Sequence, residues 1–144
     1  MARPHKERKV NDPPMMIGFM PYGISDPTAE EVLLTFEEYE SVRLIDYQKK
    51  SHEDAADLMQ VSRPTFTRIY NKAVQTIAKA LIEGKRLKIE GGNYSMEEQW
   101  YRCRNCDMVR REHEINESCV HCTEHGGSDY YPINPPKDAG HCGH

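Results

Sequence analysis

Four of the five cysteines form two C-x-x-C pairs, a spacing that suits metal binding. Cys103 and Cys106 make the first pair, and Cys119 and Cys122 make the second after twelve intervening residues. Each pair can present two thiolates from one turn to a tetrahedral ion. The sequence therefore predicts one four-thiolate site that holds Zn²⁺, as in a zinc ribbon.

The same thiolates allow other chemistry. A rubredoxin-like iron or an iron–sulfur cluster is the main alternative, because cysteine thiolates hold both. Reduced cysteines without a metal, or disulfides, are further alternatives, although disulfides are rare in the cytoplasm. His113 and His121 are candidates to replace one cysteine. Cys142, between His141 and His144, is expected to belong to a disordered tail without a defined role, and transient metal binding by that tail is the alternative.

A small β module is predicted around the cysteines, from residue 93 to residue 144. Trp100-Tyr101-Arg102 is expected to lead into the first pair as a strand, and Arg110 to Ile115 is expected to belong to a hairpin between the pairs. The module has little apolar material, so metal binding would supply stability that burial cannot. Asp107 and Thr123 follow the two pairs, where such turns commonly have glycine.

Composition sets the broad class of the protein. The chain has 144 residues, of which 38% are hydrophobic and 29% charged, which is typical of a soluble globular protein. No apolar run approaches the roughly 20 residues that span a bilayer, and the basic start lacks the apolar stretch of a secretory signal. A cytoplasmic protein without a membrane partner is expected.

Three helices are predicted between residues 35 and 82. Thr35, Ser51 and Ser62 are the expected N-cap residues, since a hydroxyl group can accept an unsatisfied backbone N–H in the first turn. The third helix is expected to run to about Ile82 and to stop at Gly84. Residues 1 to about 34 lack helical periodicity and are expected to be irregular, with a short strand at residues 15–20.

The second and third helices have the spacing of a helix-turn-helix, although a generic three-helix bundle shares part of this pattern. The motif needs a small residue where its helices touch, here Ala56, and a tight turn, here Gln60. A positive φ at Gln60, in place of the usual glycine, would cost about 1 kcal/mol. Apolar residues occupy five fixed positions: Ala55, Met59, Val61, Phe66 and Ile69.

Charge is segregated along the chain, although its net value is −4. Residues 26–57 contain ten acidic and three basic residues, whereas residues 59–88 contain seven basic and one acidic. This segregation predicts one positive face, as in DNA-binding proteins. The third helix has one apolar arc, which is expected to form the core. That arc contains Phe66, Ile69, Tyr70, Ala73, Val74, Ile77, Ala80 and Leu81.

The opposite, polar arc of the third helix supplies the candidate DNA contacts. Arg68 is the candidate for a bidentate guanine contact and Asn71 for an adenine contact, when the helix enters the major groove. Ser62, Thr65 and Lys72 are candidates for phosphate contacts. The full predicted set is Ser62, Arg63, Thr65, Arg68, Asn71, Lys72 and Lys79, with Arg3 and Lys6 in a basic N-terminal arm.

Two stretches of sequence indicate a family. L-T-F-E-E-Y-E-S-V-R-L-I-D and A-A-D-L-M-Q-V-S-R-P-T-F-T-R-I resemble the helix-turn-helix of sigma-factor region 4. The opening M-A-R-P-H-K-E-R-K-V, this helix set and the ending G-K-R-L-K-I-E-G-G more closely resemble the uncharacterised prokaryotic protein family 0251, domain of unknown function 134. This resemblance covers residues 1 to about 92, and it implies a DNA-binding fold with a transcriptional role.

These observations predict a mainly α fold, with a three-helix helix-turn-helix domain over residues 1–92 and a zinc-ribbon-like β module over residues 93–144. The predicted function is sequence-specific binding of double-stranded DNA by a transcriptional regulator, with a homodimer as one way to reach two half-sites. A metal or redox sensor that acts through the cysteines, and an adaptor that binds RNA polymerase, are the alternatives. An enzyme is not expected, because the sequence lacks a phosphate loop and a nucleophile motif.

Overall fold

A computed structural model describes residues 7–24, 30–115 and 130–134 of the protein. The chain divides into two compact units, Met1–Ser95 and Met96–His144, called here the first and second units. The predicted boundary, between residues 92 and 93, lies close to this division. Within the described ranges, no helix is both long enough and apolar enough to cross a lipid bilayer.

Three α-helices form the helical part of the first unit. They are α1 (Phe36–Val42), α2 (His52–Met59) and α3 (Arg63–Glu83), and a π-helical segment (Arg43–Tyr47) extends α1. Both α1 and α2 pack against α3, and α3 also packs against strands of the same unit. The longest helix therefore lies at the centre of the unit's contacts.

Each helix begins at the hydroxyl group that the sequence predicted as its cap. Thr35 Oγ1 accepts the backbone N–H of Glu38 at 3.2 Å, while the Glu38 carboxylate accepts the N–H of Thr35 at 2.9 Å. Ser51 and Ser62 each accept the N–H of the third residue after them, at 3.1 and 3.3 Å. The end of α3 is also as predicted, since Gly84 takes a left-handed conformation with φ of 67°. These caps fix where the helices start and stop.

A small apolar core holds α2 against α3. Ala55, Ala56, Met59 and Phe66 are each at most 2% exposed, as their predicted positions required. Alanine side chains let the two helices approach closely, and Phe66 fills the space beside them. Val61 packs at the edge of this cluster and is only half-buried.

The turn between α2 and α3 has the tight conformation that the sequence indicated. Gln60 has φ of 57° and ψ of 44°, in the left-handed region where glycine is usual. Its N–H donates to the Asp57 carbonyl at 3.1 Å, and the Val61 N–H donates to the Ala56 carbonyl at 3.0 Å. These two bonds satisfy carbonyl groups at the end of α2.

The prediction of a mainly α fold is wrong. Helices account for 40% and strands for 22% of the described residues, and the strands form three small sheets. The strands of the first unit are β1 (Arg8–Lys9), β2 (Gly18–Phe19), β3 (Glu31–Leu34), β4 (Arg86–Ile89) and β5 (Tyr94–Ser95). Those of the second unit are β6 (Trp100–Cys103), β7 (Val109–Arg111) and β8 (Tyr130–Pro132).

Strand β4 is the centre of a three-stranded sheet in the first unit. It pairs antiparallel with β2 and parallel with β3, so the three helices form the crossover between the parallel strands β3 and β4. Leu87 and Ile89 of β4 are buried. Gly18 is needed in β2, because a Cβ atom there would lie 2.1 Å from the Leu87 carbonyl oxygen. Three short parts of the predicted irregular lead-in, β1, β2 and β3, are thus paired with strands that follow the helices.

Buried carboxylates of α1 hold the N-terminal segment and β5 in place. The Arg8 guanidinium lies 3.3 Å from the Glu37 carboxylate, which also accepts the Asn93 N–H at 2.7 Å. Glu40 accepts the Asn11 N–H at 2.7 Å. Partners of this kind make the burial of charged groups tolerable. The parallel pairing of β1 with β5 is therefore fixed by side chains as well as by the backbone.

The apolar arc of α3 is only partly buried, which corrects the predicted core. Phe66, Ala73 and Ala80 are buried as expected. Val74 is 41% exposed and Leu81 is 78% exposed, so both predictions are wrong. The hydrophobic periodicity was present, but no described element of the first unit covers that side of the last turns of α3.

The second unit contains an antiparallel sheet with β6 between β7 and β8. The predicted entering strand is present as β6. The predicted hairpin segment, Arg110 to Ile115, begins in β7 and continues in a 3₁₀ turn at Glu112–Glu114. The Asn134 side chain accepts the Trp100 N–H at 2.9 Å and so secures the end of the sheet.

Candidate nucleic-acid interface and cysteine turn

A chain of hydroxyl groups and one guanidinium runs along the first turns of α3. The Ser62 hydroxyl donates to Thr65 Oγ1 at 2.9 Å, and Arg68 Nη2 donates to the same oxygen at 3.4 Å. Residues three positions apart lie on the same helix face, so this order follows from the helical period. Three of the predicted DNA-binding residues are thus placed together.

The remaining predicted residues of α3 are exposed to solvent. Asn71 and Lys72 lie one turn beyond Arg68, and Arg63 lies in the first turn. Lys79 is also exposed but is 11 residues beyond Arg68, about 16 Å at 1.5 Å per residue. Lys79 is therefore separated from the polar face of α3, the name used here for Thr65, Arg68, Asn71 and Lys72. Arg3 and Lys6, the predicted contacts of the arm, lie outside the described residues.

A polar pocket of about 350 Å³ lies beside this face. Its walls come from β1, the start of α1 and the first half of α3, and they carry three basic and two acidic side chains. The lining residues are Arg8, Thr35, Glu37, Glu38, Thr65, Arg68, Ile69 and Lys72. The full ionic charges of these groups sum to +1, so the pocket is an electrostatically mixed surface.

The two carboxylates lie beneath the basic groups. Glu38 is only 5% exposed at its side chain and lies 4.0 Å from Lys72 Nζ, whose side chain is 75% exposed. Glu37 pairs with Arg8 at 3.3 Å, but this pair is more enclosed, since the Arg8 side chain is only 21% exposed. An ion pair with such an exposed lysine contributes little, so the ammonium group can turn to another anion at small cost. The sequence segregates charge, whereas the fold brings acidic groups of α1 under basic groups of α3.

Arg8 is a candidate site residue that was not among those predicted from the sequence. It belongs to the basic N-terminal segment, where Arg3 and Lys6 were selected instead. Composition marks the whole segment as basic, but only the pairing of β1 with β5 and the contact with Glu37 bring Arg8 next to α3. The available signal was the cluster of basic residues, and it did not distinguish its members.

Tyr70 fixes the orientation of α3 from the opposite side of the helix. Its hydroxyl donates to Asp46 Oδ2 in the π-helical segment at 2.9 Å. Burial, followed by this hydrogen bond, raises the pKa of the Tyr70 phenol above its usual value. The His52 ring packs edge-on against both Tyr70 and Phe66, with centroid distances of 5.3 and 5.4 Å. These contacts hold the start of α2 against α3.

In the second unit, Cys103 and Cys106 lie on one tight turn that begins at the last residue of β6. The Cys103 carbonyl accepts the Asp107 N–H at 2.9 Å, and the Cys103 N–H donates to the Met108 carbonyl at 2.9 Å. Asp107 has φ of 62°, the conformation for which glycine is usual at this place. Arg102 secures the turn, because its guanidinium donates to the Asp107 carbonyl at 2.8 Å.

This turn can supply two thiolates to one metal ion, and its closed backbone is consistent with that role. Cys103 is buried and Cys106 is half-buried. Cys119 and Cys122, the other predicted ligands, lie outside the described residues, as do His121 and Cys142. Within the described ranges, no group of three or more His, Cys, Asp or Glu side chains is arranged to hold a metal. His113 is exposed on the 3₁₀ turn.

Comparison with known proteins identifies the family. The family model described as "Protein of unknown function DUF134" matches residues 1–97, so the chain belongs to that family, as its sequence predicted. A UPF0251 protein of Chloroherpeton thalassium is 40% identical over 129 residues, which cover 90% of this chain and 85% of the relative. A UPF0251 protein of Caldanaerobacter subterraneus subsp. tengcongensis is 49% identical over 96 residues, covering 67% and 81%. These names state no enzymatic activity, and no solved structure matches the chain.

Proposed function

We propose that this protein binds double-stranded DNA sequence-specifically through the first half of α3 and acts as a transcriptional regulator. The observation that carries the proposal is the combination of a short helix, a left-handed turn at Gln60 and a longer helix with an exposed polar face. In helix-turn-helix proteins the second helix enters the major groove with its N-terminal residues on the base edges. Arg68, Asn71 and Lys72 are exposed on the corresponding part of α3.

Arg68 is the proposed base-contacting residue. Guanidinium groups bind guanine in a bidentate manner, and a guanidinium held in one orientation loses less entropy on binding. The Thr65 hydroxyl accepts a hydrogen bond from Arg68 and so restricts its orientation. Asn71, nearly one helical turn further on, is the proposed contact for a second base.

Phosphate contacts are proposed around the base-contacting residues. Ser62 and Thr65 lie in the first turn of α3, where backbone N–H groups and the helix dipole favour an anion. Lys72 and Arg8 lie across the pocket beside α3, and both are paired with carboxylates there. A phosphate that approaches the pocket would draw the exposed Lys72 outward, whereas Arg8 would contribute its charge from its place beside Glu37. The proposed role is binding, and it requires no catalytic group.

We also propose that the second unit holds one Zn²⁺ with Cys103, Cys106, Cys119 and Cys122. The backbone of the first cysteine turn supports this assignment, since Asp107 adopts the conformation that glycine takes after such a pair. Cys103 is fully buried, so an ionised thiolate there would need a cation to offset the loss of hydration. The metal would stabilise a unit that has few apolar residues.

Selection of bound fragments from random double-stranded DNA, followed by affinity measurements on the selected site, tests the DNA proposal. Arg68→Ala should weaken binding to that site by about 1–3 kcal/mol and relax discrimination at one base pair. Arg68→Lys is the matched control, because it keeps the charge and loses only the bidentate geometry. Arg68→Lys should retain the salt dependence of wild-type binding but lose discrimination at the base pair that Arg68 contacts.

Lys79→Ala provides the contrast. As a predicted phosphate contact, it should weaken binding to all sequences about equally and reduce the salt slope by about one unit. Wild-type affinity and salt slope in both Arg68→Ala and Lys79→Ala, with the fold intact, would refute the role of α3. In that case, the adaptor that binds the transcription machinery becomes the better hypothesis.

A further inference from the structure

The first unit has a second surface that the proposed DNA contacts do not use. It is an apolar groove of about 540 Å³, bounded by the last turns of α3 and by the sheet around β4. Leu34, Leu87 and Ile89 form part of its floor, and all three are buried. Phe19, Met20 and Leu81 lie along its rim. The wrong prediction that Leu81 is a core residue concerns this same surface.

The rim exposes several large apolar side chains. Phe19, Met20 and Leu81 are 59%, 73% and 78% exposed, and Ile82, next to Leu81 in α3, is 81% exposed. At roughly 150–200 Å² for each fully exposed side chain, the three that line the groove present about 300–400 Å², within the range of patches that are often functional. A stable interface buries about 800 Å² per partner, so the rim side chains would supply up to about half of that area and the walls of the groove would have to supply the rest.

We propose that a second copy of this chain covers the groove and forms a twofold-symmetric dimer. Twofold interfaces use the same patch on both subunits, so the patch must carry both a depression and protruding groups. This surface carries both: the groove itself and the exposed side chains of Phe19, Met20 and Leu81. Charges beside the groove are largely paired, because Lys85 Nζ lies 3.3 Å from Glu83 and also pairs with Glu30, which leaves a net charge of only −1 for these three groups.

The position of the groove on α3 favours a second copy over an unrelated partner. Leu81 is 13 residues beyond Arg68, which is about 20 Å along the helix. A twofold axis near Leu81 would place the two Arg68 side chains up to about 39 Å apart, and helix-turn-helix dimers contact half-sites about 34–36 Å apart. This part of the inference rests on the proposed DNA binding, whereas the dimer itself does not.

Sedimentation equilibrium of the full chain without DNA tests the dimer. Wild type should show a concentration-dependent dimer, and Leu81→Glu and Phe19→Glu should each weaken self-association at least tenfold. Leu58→Glu is the matched control, because Leu58 is an exposed leucine of α2 that does not line the groove. Circular dichroism would verify that each variant retains its helices. Met20→Glu replaces either groove variant that fails to fold.

A wild-type chain that stays monomeric at all concentrations overturns the proposal, as does a dimer that resists the groove variants. Either result would mean that the groove is not a dimer interface and that another occupant, such as a different protein or a segment of this chain, covers it. DNA binding separates the two proposals. Arg68→Ala should remain dimeric, and Leu81→Glu should still bind one half-site while losing at least tenfold in affinity for a palindrome. A dimer without DNA binding would refute the proposed function alone.

Discussion

Gln60→Gly offers a direct test of how the sequence builds the turn between α2 and α3. Gln60 has φ of 57°, and for a residue with a Cβ atom the left-handed region costs about 1–2 kcal/mol. Its side chain is exposed, so truncation removes little packing. Glycine would adopt the same conformation without this steric cost.

The expected magnitude is the difference between two opposing effects. Glycine removes the steric cost, but it also increases the entropy of the unfolded chain by about 0.5–1 kcal/mol. Gln60→Gly should therefore raise the free energy of unfolding by about 0.5–1 kcal/mol. Gln48→Gly is the matched control, since Gln48 is also exposed and ends a helical segment, but with φ of −88°. It should lower the free energy of unfolding by about 0.5–1 kcal/mol.

Urea and thermal unfolding of the full chain, followed by helical circular dichroism, would measure both variants. The predicted gap between them is about 1–2 kcal/mol, which corresponds to roughly 4–16 °C in the midpoint of a domain of this size. Because the same substitution is made at two exposed glutamines, the gap isolates the backbone conformation. An equal loss of stability in both variants would refute the strain assigned to Gln60.

Three further predictions concern charge, metal and pH. Glu38→Gln keeps the capping box but removes a negative charge beneath the polar face of α3. Its affinity for non-specific DNA at low salt, measured by the fluorescence anisotropy of labelled DNA, should therefore rise about twofold. Glu53→Gln is the control, and its affinity should change little. Cys103→Ser should lose the zinc measured by elemental analysis, whereas Cys142→Ser should keep it. Because the pKa of the Tyr70 phenol is raised above 10, its neutral form stabilises the fold below pH 10, and this stabilisation is lost as pH rises through the raised pKa. Tyr70→Phe should therefore make the free energy of unfolding fall less steeply with pH above 10. In each case, identical behaviour of the variant and its reference would contradict the prediction.

Helix boundaries were predictable because they depend on contacts over three or four residues. The hydroxyl groups of Thr35, Ser51 and Ser62 reach backbone N–H groups within the same turn, and Gly84 ends α3 through its own conformation. The same holds for the turn at Gln60, whose position follows from the spacing of the apolar residues on either side. Contacts between residues close together in the chain determine all of these features, so the helix ends and the turn can be predicted from the sequence alone.

The sheets were not predictable in the same way. Strands β3 and β4 pair in parallel across more than fifty residues, and β1 and β5 pair across an even longer interval. Each strand is only two to four residues long, so the sequence could indicate single strands such as β2 and β6 but not the strands with which they pair. Gly18 is a case in point. Glycine is required at this position because a Cβ atom would clash with the Leu87 carbonyl oxygen, which belongs to a strand far along the chain.

The candidate site also has a part that the sequence predicts and a part that only the tertiary fold creates. Helical periodicity places Thr65, Arg68 and Lys72 on one side of α3, so their grouping followed from the sequence. Arg8 and Glu38 reach the same pocket from β1 and α1, and only the tertiary fold brings them there. Charge counts by segment therefore overstated the positive character of this surface.

The acidic groups beneath α3 bear on how the proposed DNA contacts divide between affinity and specificity. Lys72 and Arg8 face carboxylates in the free protein, so a phosphate must compete with Glu38 and Glu37 for them. Arg68 instead donates to the neutral hydroxyl of Thr65 and keeps its full charge for a base. Sequence-independent attraction depends on phosphate contacts, and base contacts provide discrimination. The carboxylates weaken the phosphate contacts and leave the base contacts unchanged. They would therefore raise the ratio of specific to non-specific binding at a modest cost in total affinity.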